Sequence, residues 1–410
     1  MTAFRPYDPG TDREAVRRIF QEVGWSHAAR HVDDERFGQV VRVRVAEHDG
    51  AAECVVTTCA GTIRHLETDL PFACVLEVAT SRVARRQGLA LRLLSRTLSE
   101  EAAEGALVAG LGVFDQGFYD RAGFGTAPYA RWVEFNPGDL AVDGKPRAPR
   151  RLSRDDGSAL HAARLTRRRC HGACNLTPPA VTQADLGEPD TGFGLGYFDG
   201  PDGAFSHGLW LRGKDEHGPY NVAWSVYHTR EEFLELMALL KGLADQVHLV
   251  GMHEPSGVQL QDLLTRPLAA ARITEGSRYA SRIGAGAYFQ FRILDVPGCL
   301  GHTHLPGTGQ LRFNLNLADP VEAYLPGNPA WSGCQGRYVV ELGESCSGEP
   351  GEDTRLPTLN ATVNAFTRLW LGVQPATGLA FTDELAGPDA LLAALDCVLR
   401  LPQPEADWGF

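Results

Sequence analysis

The stretch VARRQGLALRLL, residues 83–94, places two arginines and a glycine directly before a leucine-rich helix, and it follows the strand-like run VLEVAT at 75–80. The first amide groups of a helix have no partner within the helix, and the helix dipole makes that end electropositive. The spacing RxxGxA, formed by Arg85, Gly88 and Ala90, therefore predicts a diphosphate site at the start of this helix.

The type of diphosphate ligand follows from what the motif lacks. It has neither the lysine and Ser/Thr of a P-loop nor the GxGxxG pattern of a dinucleotide-binding fold. A site of the acyl-coenzyme A type remains, because small residues at Gly88 and Ala90 let a diphosphate approach the backbone. An accidental basic helix start is the alternative.

Composition narrows the class of protein. The chain has 410 residues, 43% of them hydrophobic and 22% charged, which predicts two or three globular domains. A formal net charge of -12 argues against nucleic acid as a partner, because a phosphate backbone requires a basic surface. The first residues lack a basic segment followed by an apolar run, and no stretch of eighteen apolar residues occurs. We therefore expect no export signal and no membrane span, and a cytoplasmic protein.

Cysteine and histidine patterns give no metal site. The nine cysteines are scattered without CxxC pairs, so we expect reduced thiols. The runs CHGAC at 170–174 and GHTH at 301–304 match no standard zinc spacing, and they lie in different segments. We predict that the protein holds no metal.

Hydrophobic periodicity predicts the first segment. TDREAVRRIFQEVG (11–24) is typical of an amphipathic helix opened by a capping box of Thr11 and Glu14. The turn HDG at 48–50 joins two predicted strands, and a helix is expected over about 86–103. An apolar strand at 105–114 and the aromatic and glycine-rich run GFYDRAGFG at 117–125 follow.

The rest of the chain predicts two further segments of mixed helices and strands. Prolines and basic residues mark a linker near 136–150, and Thr229 caps a helix beginning TREEFLELMALL. From about 287, strands are expected in YFQFRILDVPG, LRFNLNLADP and GRYVVELGE, and helices over 358–371 and 388–399. We predict an α+β, mixed α/β protein with domains at 1–146, 147–286 and 287–410.

The run LEVATSRVARRQGLALRLL, followed by GFYDRAGFG, resembles the GNAT superfamily of N-acetyltransferases, and specifically the Eis (enhanced intracellular survival) type. The resemblance implies two tandem GNAT-like domains, the second without the coenzyme A motif, and a C-terminal domain like sterol carrier protein 2 (SCP2). It also implies a homo-oligomer, a trimer or hexamer.

The resemblance further implies a site for acetyl-CoA as cosubstrate. Backbone groups of Val78 and Thr80 would pair with the pantetheine arm. The residues implied to hold the diphosphate are Arg85, Arg86, Gly88, Leu89 and Ala90.

Two catalytic groups are implied in the same way. Tyr119, in GFYDRAGFG, would protonate the departing thiolate, and a phenol suits this task because its pKa near 10 exceeds that of a thiol near 8.5. The α-carboxylate of Phe410 would accept the proton of the amine, and burial would raise its basicity. The alternatives are a core tyrosine held by one hydrogen bond, and a frayed last residue.

The sequence indicates the residues that would bind the amine acceptor less specifically than those of the acetyl-CoA site. Aromatic faces and carboxylates together hold ammonium groups, and the candidates are Glu22, Trp25, Phe37 and Asp407. Their alternative is a role as core aromatics and surface acids. Family members usually have a proline at Arg82 and a small polar residue at Phe114, and these departures concern the acceptor pocket.

We therefore expect an acetyl-CoA-dependent N-acetyltransferase. Its acceptor would be a primary amine of a small cationic molecule, such as an aminoglycoside-like compound or a polyamine, or of a lysine-bearing peptide. The alternative is a catalytically weak binding protein that uses its SCP2-like domain for an apolar ligand or for assembly.

Overall fold

The structure is a computed structural model that describes residues 2–25, 32, 41–187, 192–267, 276–307 and 309–410. The chain forms two compact units, of which the first combines residues 1–128, 171–177 and 287–410 and the second combines 129–170 and 178–286. Both units mix helices and strands, which confirms the predicted mixed α/β class, whereas the two tandem GNAT-like domains and the SCP2-like domain stay predictions. The division into three domains stays a prediction.

Strands and helices are interspersed along the described residues. The strands are β1 (Thr2–Pro6), β2 (Arg42–His48), β3 (Ala51–His65), β4 (Thr68–Thr80), β5 (Val108–Gly112), β6 (Gly125–Thr126), β7 (Ala130–Phe135), β8 (Arg150–Leu152), β9 (Cys174–Leu176), β10 (Gly192–Tyr197), β11 (His207–Gly213), β12 (Tyr220–Val226), β13 (Val250–His253), β14 (Arg282–Gly286), β15 (Phe289–Ile293), β16 (Leu311–Ala318), β17 (Gly336–Leu342), β18 (Ser347–Pro350), β19 (Thr358–Thr362) and β20 (Leu385–Ala386). The helices are α1 (Arg13–Glu22), α2 (Leu89–Ala103), α3 (Gln116–Asp120), α4 (Gly157–Thr166), α5 (Pro179–Gly187), α6 (Arg230–Lys241), α7 (Val296–Gly301), α8 (Val363–Trp370), α9 (Ala376–Thr382) and α10 (Asp389–Val398).

The first unit is built on a sheet with the order β1-β2-β3-β4-β5-β15-β6, and β9 pairs with β3. Strands β4 and β5 are parallel, and helix α2 connects them. The leucines predicted on one face of α2, Leu91, Leu94 and Leu98, are buried against this sheet. This strand, helix and parallel strand place the sequence 83–94 at the edge of the sheet where β4 ends.

Strand β15 comes from the last third of the chain and lies inside the first sheet. It pairs antiparallel with β5 on one side, Phe291 opposite Gly110, and with β6 on the other, Gln290 opposite Thr126. The sequence predicted this strand but not its neighbours, because alternation of apolar residues carries no information on distant pairing partners.

Two local predictions are wrong. Helix α1 begins after Asp12, and neither Thr11 nor Glu14 caps it, because the Asp12 carboxylate accepts the Asp8 amide and binds Arg5 instead. Burial of Asp12 would raise its pKa, but the hydrogen bonds from Arg5 and Asp8 lower it. Residues 358–362 form strand β19 rather than the first turn of a helix, since they pair in parallel with β16.

The second unit is built on a sheet with the order β14-β7-β13-β12-β11-β10-β8. Helix α6 connects the parallel strands β12 and β13, and it begins with the predicted cap at Thr229, whose side chain accepts the Glu232 amide. The predicted apolar face of α6 is buried in the core of this unit.

The C-terminal residues of the first unit add a second sheet with the order β18-β17-β16-β19-β20. Helix α8 packs between this sheet and strands β15 and β6. Among the described helices of both units, none is long and apolar enough to cross a membrane.

Candidate active site

The turn before α2 has the backbone geometry that a diphosphate site needs. Gly88 has φ +72°, a left-handed conformation that favours glycine, and Arg86 has φ +62°. In the described part of the chain no side chain caps this helix start. Its first amides are therefore open to an external acceptor.

The surroundings of this turn are open and basic. A β-carbon built on Gly88 would meet only the Arg92 guanidinium, at 3.9 Å, among the described atoms. Arg85 and Arg86 are exposed, and no acidic residue lies in the first helical turn. Arg92 donates to the carbonyl oxygens of Gln87 and Gly88, which offsets their negative charge. The predicted diphosphate residues thus form one continuous electropositive turn.

Helix α6, at the corresponding place after β12 in the second unit, is closed to an anion. Its start carries a reciprocal capping box of Thr229 and Glu232, and both Glu231 and Glu232 lie in its first turn. The Thr229 hydroxyl accepts the Glu232 amide, and the Glu232 carboxylate accepts the amides of His228 and Thr229. The carboxylates in the first turn also repel a phosphate.

Beside the open turn, strands β4 and β5 separate. Their parallel pairing runs from Phe72 opposite Val108 to Val75 opposite Leu111. Strand β4 continues through residues 76–80, still paired with β3 across a bulge at Leu76. The backbone of Val78 and Thr80 therefore lies past the last pair with β5, where an extended ligand chain could add to the strand edge.

Tyr119 lies on the face of the sheet that α2 covers. It is 7% exposed and packs in one core cluster with Leu111 and α2, and its ring makes an edge contact with Phe118 at 4.9 Å. Burial, together with the nearby Asp115 carboxylate, raises the pKa of Tyr119 to about 12. With this pKa the phenol is protonated near neutral pH, and because no described residue hydrogen-bonds its hydroxyl, it can serve an external acceptor.

Phe410 lies on the opposite face of the same sheet. Its ring contacts Phe72 at 6.0 Å and Phe289 at 4.9 Å between centroids. A β-carbon built on Gly112, the last residue of β5, would come within 2.8 Å of the Phe410 main-chain oxygen. The last residue thus lies against the end of β5, where this strand has parted from β4.

The tail that leads to Phe410 is held along its length. The Glu405 amide donates to the His171 carbonyl at 2.9 Å, and Pro404 is buried. Trp408 is 1% exposed, as expected for an apolar anchor. These contacts favour the anchored tail over the alternative of a frayed last residue.

The predicted acceptor residues occupy different places. The Glu22 carboxylate accepts the Arg82 amide at 2.6 Å, so it holds the segment before the diphosphate turn. Trp25 stacks on Phe20 of α1, and Asp407 is exposed beside Trp408. Phe37 lies outside the described residues. The acceptor role of these four residues stays a prediction.

The structure adds residues that the sequence did not indicate. Gly112 is one of them, since a lone strand glycine gives no functional signal. Phe114, which the sequence already connects with the acceptor pocket, lies two residues beyond it and is 85% exposed. Gln290, Arg292 and Asn364 contact the turn that carries Tyr119, and only their side-chain contacts reveal this.

The side chains of the run CHGAC, which matches no zinc spacing, have partners within the protein. His171 of CHGAC accepts the Leu66 amide and bonds the Leu371 carbonyl, and Cys170 lies near the Ser256 carbonyl. Elsewhere in the described residues, Asp199, His207 and Glu235 cluster, but Arg147 binds both carboxylates.

Comparison with known proteins finds a family similar to the segment that carries the turn before α2 and Tyr119. Residues 12–127 match the family model of the acetyltransferase (GNAT) domain. No curated protein matches the chain in sequence.

Solved structures share the fold of the whole chain. A probable N-acyltransferase of Enterococcus faecalis is 16% identical with a TM-score of 0.78, and 100% of each chain is covered. A GCN5-related N-acetyltransferase of Anabaena variabilis is 14% identical with a TM-score of 0.78, over 100% of this chain and 99% of that one. Eis1 of Mycobacterium abscessus is 16% identical with a TM-score of 0.74, over 100% of each chain. At these identities the likeness shows the fold alone.

Proposed function

We propose, on the premise that residues 12–127 are an acetyltransferase domain of the GNAT type, that the protein transfers the acetyl group of acetyl-CoA to a primary amine of a cationic acceptor. The diphosphate would bind the amides of Leu89 and Ala90 with Arg85 and Arg86 around it. The pantetheine arm would lie along β4 at Val78 and Thr80, where the edge of the strand no longer pairs with β5.

One observation carries this proposal. Strands β4 and β5 part beyond the pair of Val75 and Leu111, with Tyr119 in the core on one face and Phe410 at the end of β5 on the other. A thioester at this parting could be approached by an amine from the Phe410 face while its sulfur faces the Tyr119 side. The two groups are therefore suited to opposite proton transfers of one reaction.

Phe410 and Tyr119 together account for both proton transfers of the acetyl-transfer reaction. The amine nitrogen forms a bond to the thioester carbonyl carbon, and the carbon–sulfur bond breaks. The α-carboxylate of Phe410 takes the proton that the nitrogen loses, and Tyr119 gives its proton to the departing thiolate. Because the pKa of Tyr119 is about 12, the phenolate regains its proton readily from water or from the carboxylic acid.

Direct transfer is favoured over an acetylated cysteine. Cys54, Cys59 and Cys74 lie on β3 and β4, but burial raises the pKa of each thiol, to about 12 for Cys54 and Cys59 and well above its ordinary value for Cys74. A thiol attacks as its thiolate, so these cysteines are inert near neutral pH.

The acceptor is inferred from the surroundings of Phe410. Phe114 is exposed just past the end of β5, and Tyr288, whose carbonyl accepts the Val113 amide at 2.7 Å, is half exposed. Aromatic faces beside a carboxylate favour an ammonium-bearing ligand. An aminoglycoside-like compound, a polyamine and a lysine-bearing peptide all meet this description. We also propose the homo-oligomer, a trimer or hexamer, that the resemblance implies.

The alternative of an apolar-ligand carrier finds less support. A groove of about 210 Å³ lies on the C-terminal sheet, but asparagine, threonine and ionic side chains make up most of its lining, which includes Asn316, Arg337, Glu352 and Asn360. Sites for apolar ligands are lined mainly by hydrophobic residues.

Thiol release from acetyl-CoA, measured across a panel of primary amines, tests the proposal. We expect turnover with polyamines or aminoglycosides, and a loss of about 100-fold in Tyr119→Phe, as is typical for removal of a general acid. Deletion of Phe410 would slow the reaction without weakening acetyl-CoA binding. If the unaltered protein acetylates no amine, the enzyme proposal is wrong; if the deletion leaves the rate unchanged, only the role of Phe410 is wrong.

A further inference from the structure

The turn that carries Tyr119 is held by side chains from the last third of the chain. Asn364, on α8, donates through Nδ2 to the carbonyl oxygens of Asp120 and Phe124, both at 2.9 Å. These two acceptors bracket the turn that follows Tyr119. The same turn is closed from within by the Phe124 amide, which donates to the Tyr119 carbonyl at 3.3 Å.

Strand β15 supplies two further contacts on this turn. Gln290 donates through Nε2 to the Asp120 carboxylate at 2.8 Å, and Arg292 donates to the Ala122 carbonyl. Both side chains are fully buried. The second guanidinium nitrogen of Arg292 binds the buried Asp319 carboxylate at 2.7 Å, so Arg292 cannot turn away without leaving a buried charge unpaired.

The glycines of GFYDRAGFG are explained by the same packing. A β-carbon on Gly123, whose φ is +83°, would meet Arg292 and Val363 at 2.7 Å. A β-carbon on Gly125 would meet the Asn364 carbonyl oxygen at 2.4 Å. The glycines of this motif are therefore needed for close packing against helix α8 and strand β15, and not only for the binding of the reactants.

Alternation along β15 links the two faces of the site. Gln290 and Arg292 point to the face of Leu111 and Tyr119, because they pair opposite Leu111 and Ala109. Phe289 points to the other face and contacts Phe410. The five-residue strand β15 thus contacts Phe410 on one face of the sheet and the turn that carries Tyr119 on the other.

We propose that Asn364, Gln290 and Arg292 are positioning residues that fix the Tyr119 hydroxyl relative to the parting of β4 and β5. This inference rests on the proposed acetyl transfer. Catalysis then depends on residues 287–410 for the placement of the acid as well as for Phe410, because contacts within residues 12–127 are not the only ones that hold Tyr119 in place. A misplacement of about 1 Å is enough to cost about 100-fold in rate.

The test compares two asparagines that make the same kind of contact. Asn364→Asp replaces the amide that binds the turn with a carboxylate that repels the carbonyls of Asp120 and Phe124. The control is Asn314→Asp, because Asn314 likewise donates through Nδ2 to two main-chain carbonyls, those of Asp353 and Leu356, in a turn at 353–356. Gln290→Met is the second variant, since it removes the donor to Asp120 at similar volume.

We expect kcat to fall about tenfold or more in Asn364→Asp and Gln290→Met, with KM for acetyl-CoA unchanged, and to stay within about twofold in Asn314→Asp. In a Tyr119→Phe background, Asn364→Asp should have no further effect on kcat, because the group that it positions is already gone. A further drop in that background equal to the drop in the unaltered protein would show a merely structural role and overturn the inference.

A second readout separates this inference from the proposed function. Amide hydrogen exchange of residues 116–126 should rise about tenfold in Asn364→Asp and not in Asn314→Asp, whether or not an amine is acetylated. Unchanged exchange in Asn364→Asp would overturn the inference. Absence of turnover in the unaltered protein would instead overturn the proposed function.

Discussion

A β-carbon on Gly112 would lie 2.8 Å from the main-chain oxygen of Phe410, so the end of β5 and the last residue are in direct contact. This distance is shorter than real β-carbons tolerate, and a larger residue at 112 has to move the tail. Because Phe410 also contacts Phe72 and Phe289, the tail cannot shift without losing apolar contact.

Gly112→Ala should therefore impair catalysis without unfolding the protein. We expect kcat to fall about tenfold or more, because the proposed base is displaced by a few tenths of an ångström or more from its place beside β5. The control is Gly284→Ala, a strand glycine whose added β-carbon meets nothing within 4 Å. Steady-state kinetics with acetyl-CoA and one accepted amine is the measurement. Equal rates in the two variants would contradict the contact's role.

Gly88→Ala should weaken acetyl-CoA binding. The left-handed backbone of Gly88 at φ +72° costs an L-residue about 1–2 kcal/mol, and relaxation of the turn would reorient the amides that face the diphosphate. We expect Kd for acetyl-CoA, measured by titration calorimetry, to rise about tenfold.

Gly105→Ala is the matched control for that variant. Gly105 has φ +98° just past the other end of the same helix, so its replacement carries a similar backbone strain but lies away from the turn. Its Kd should equal that of the unaltered protein. A similar loss of affinity in both variants would indicate general destabilisation rather than a diphosphate site at Gly88.

The pKa of Tyr119 predicts a pH-dependent stability. Burial first, and Asp115 second, raise the pKa of the folded phenol from about 10 to about 12. The folded state therefore holds this proton more tightly than the unfolded state. The resulting stabilisation is complete below pH 10 and is lost as pH rises through 12.

Denaturant unfolding at several pH values between 9 and 11.5 measures this effect. The free energy of unfolding of the unaltered protein should fall relative to that of Tyr119→Phe over this range, because phenylalanine does not ionise. A constant difference between the two proteins would show that the Tyr119 phenol has an ordinary pKa.

Phe114→Ser should change acceptor recognition alone. Phe114 is 85% exposed beyond the end of β5. We expect KM for the amine to change by about tenfold and KM for acetyl-CoA to stay the same. Phe381→Ser is the control, because Phe381 is 90% exposed on α9 and has no part in the proposed site. An amine KM that responds equally to both changes would exclude Phe114 from the acceptor site.

The sequence predicted those parts of the fold that depend on local physics. Helix periodicity gave α2 and its buried leucines, and the Thr229 capping box gave the start of α6. The turn residues at 48–50 gave the hairpin of β2 and β3, whose Asp49 and Gly50 both have positive φ. These features need only neighbouring residues, which is why a single sequence reveals them.

Features that depend on distant pairing were not predictable. The insertion of β15 between β5 and β6 and the clamp of Asn364 on the Tyr119 turn join residues more than a hundred positions apart. The predicted capping box of α1 was wrong because Asp12 precedes the helix and binds Arg5 of strand β1. The glycine turn at the start of α2 was predictable because the motif, its glycine and its helix are contiguous, and the binding of a diphosphate there stays a prediction.

The most direct test of the account is a crystal structure of the protein with coenzyme A. We expect the diphosphate about 3 Å from the amides of Leu89 and Ala90, and the pantetheine arm alongside Val78 and Thr80. Its thiol should reach the parting of β4 and β5. Coenzyme A bound at another place, or absent at a saturating concentration, would contradict the central claim that the open start of α2 binds the cosubstrate.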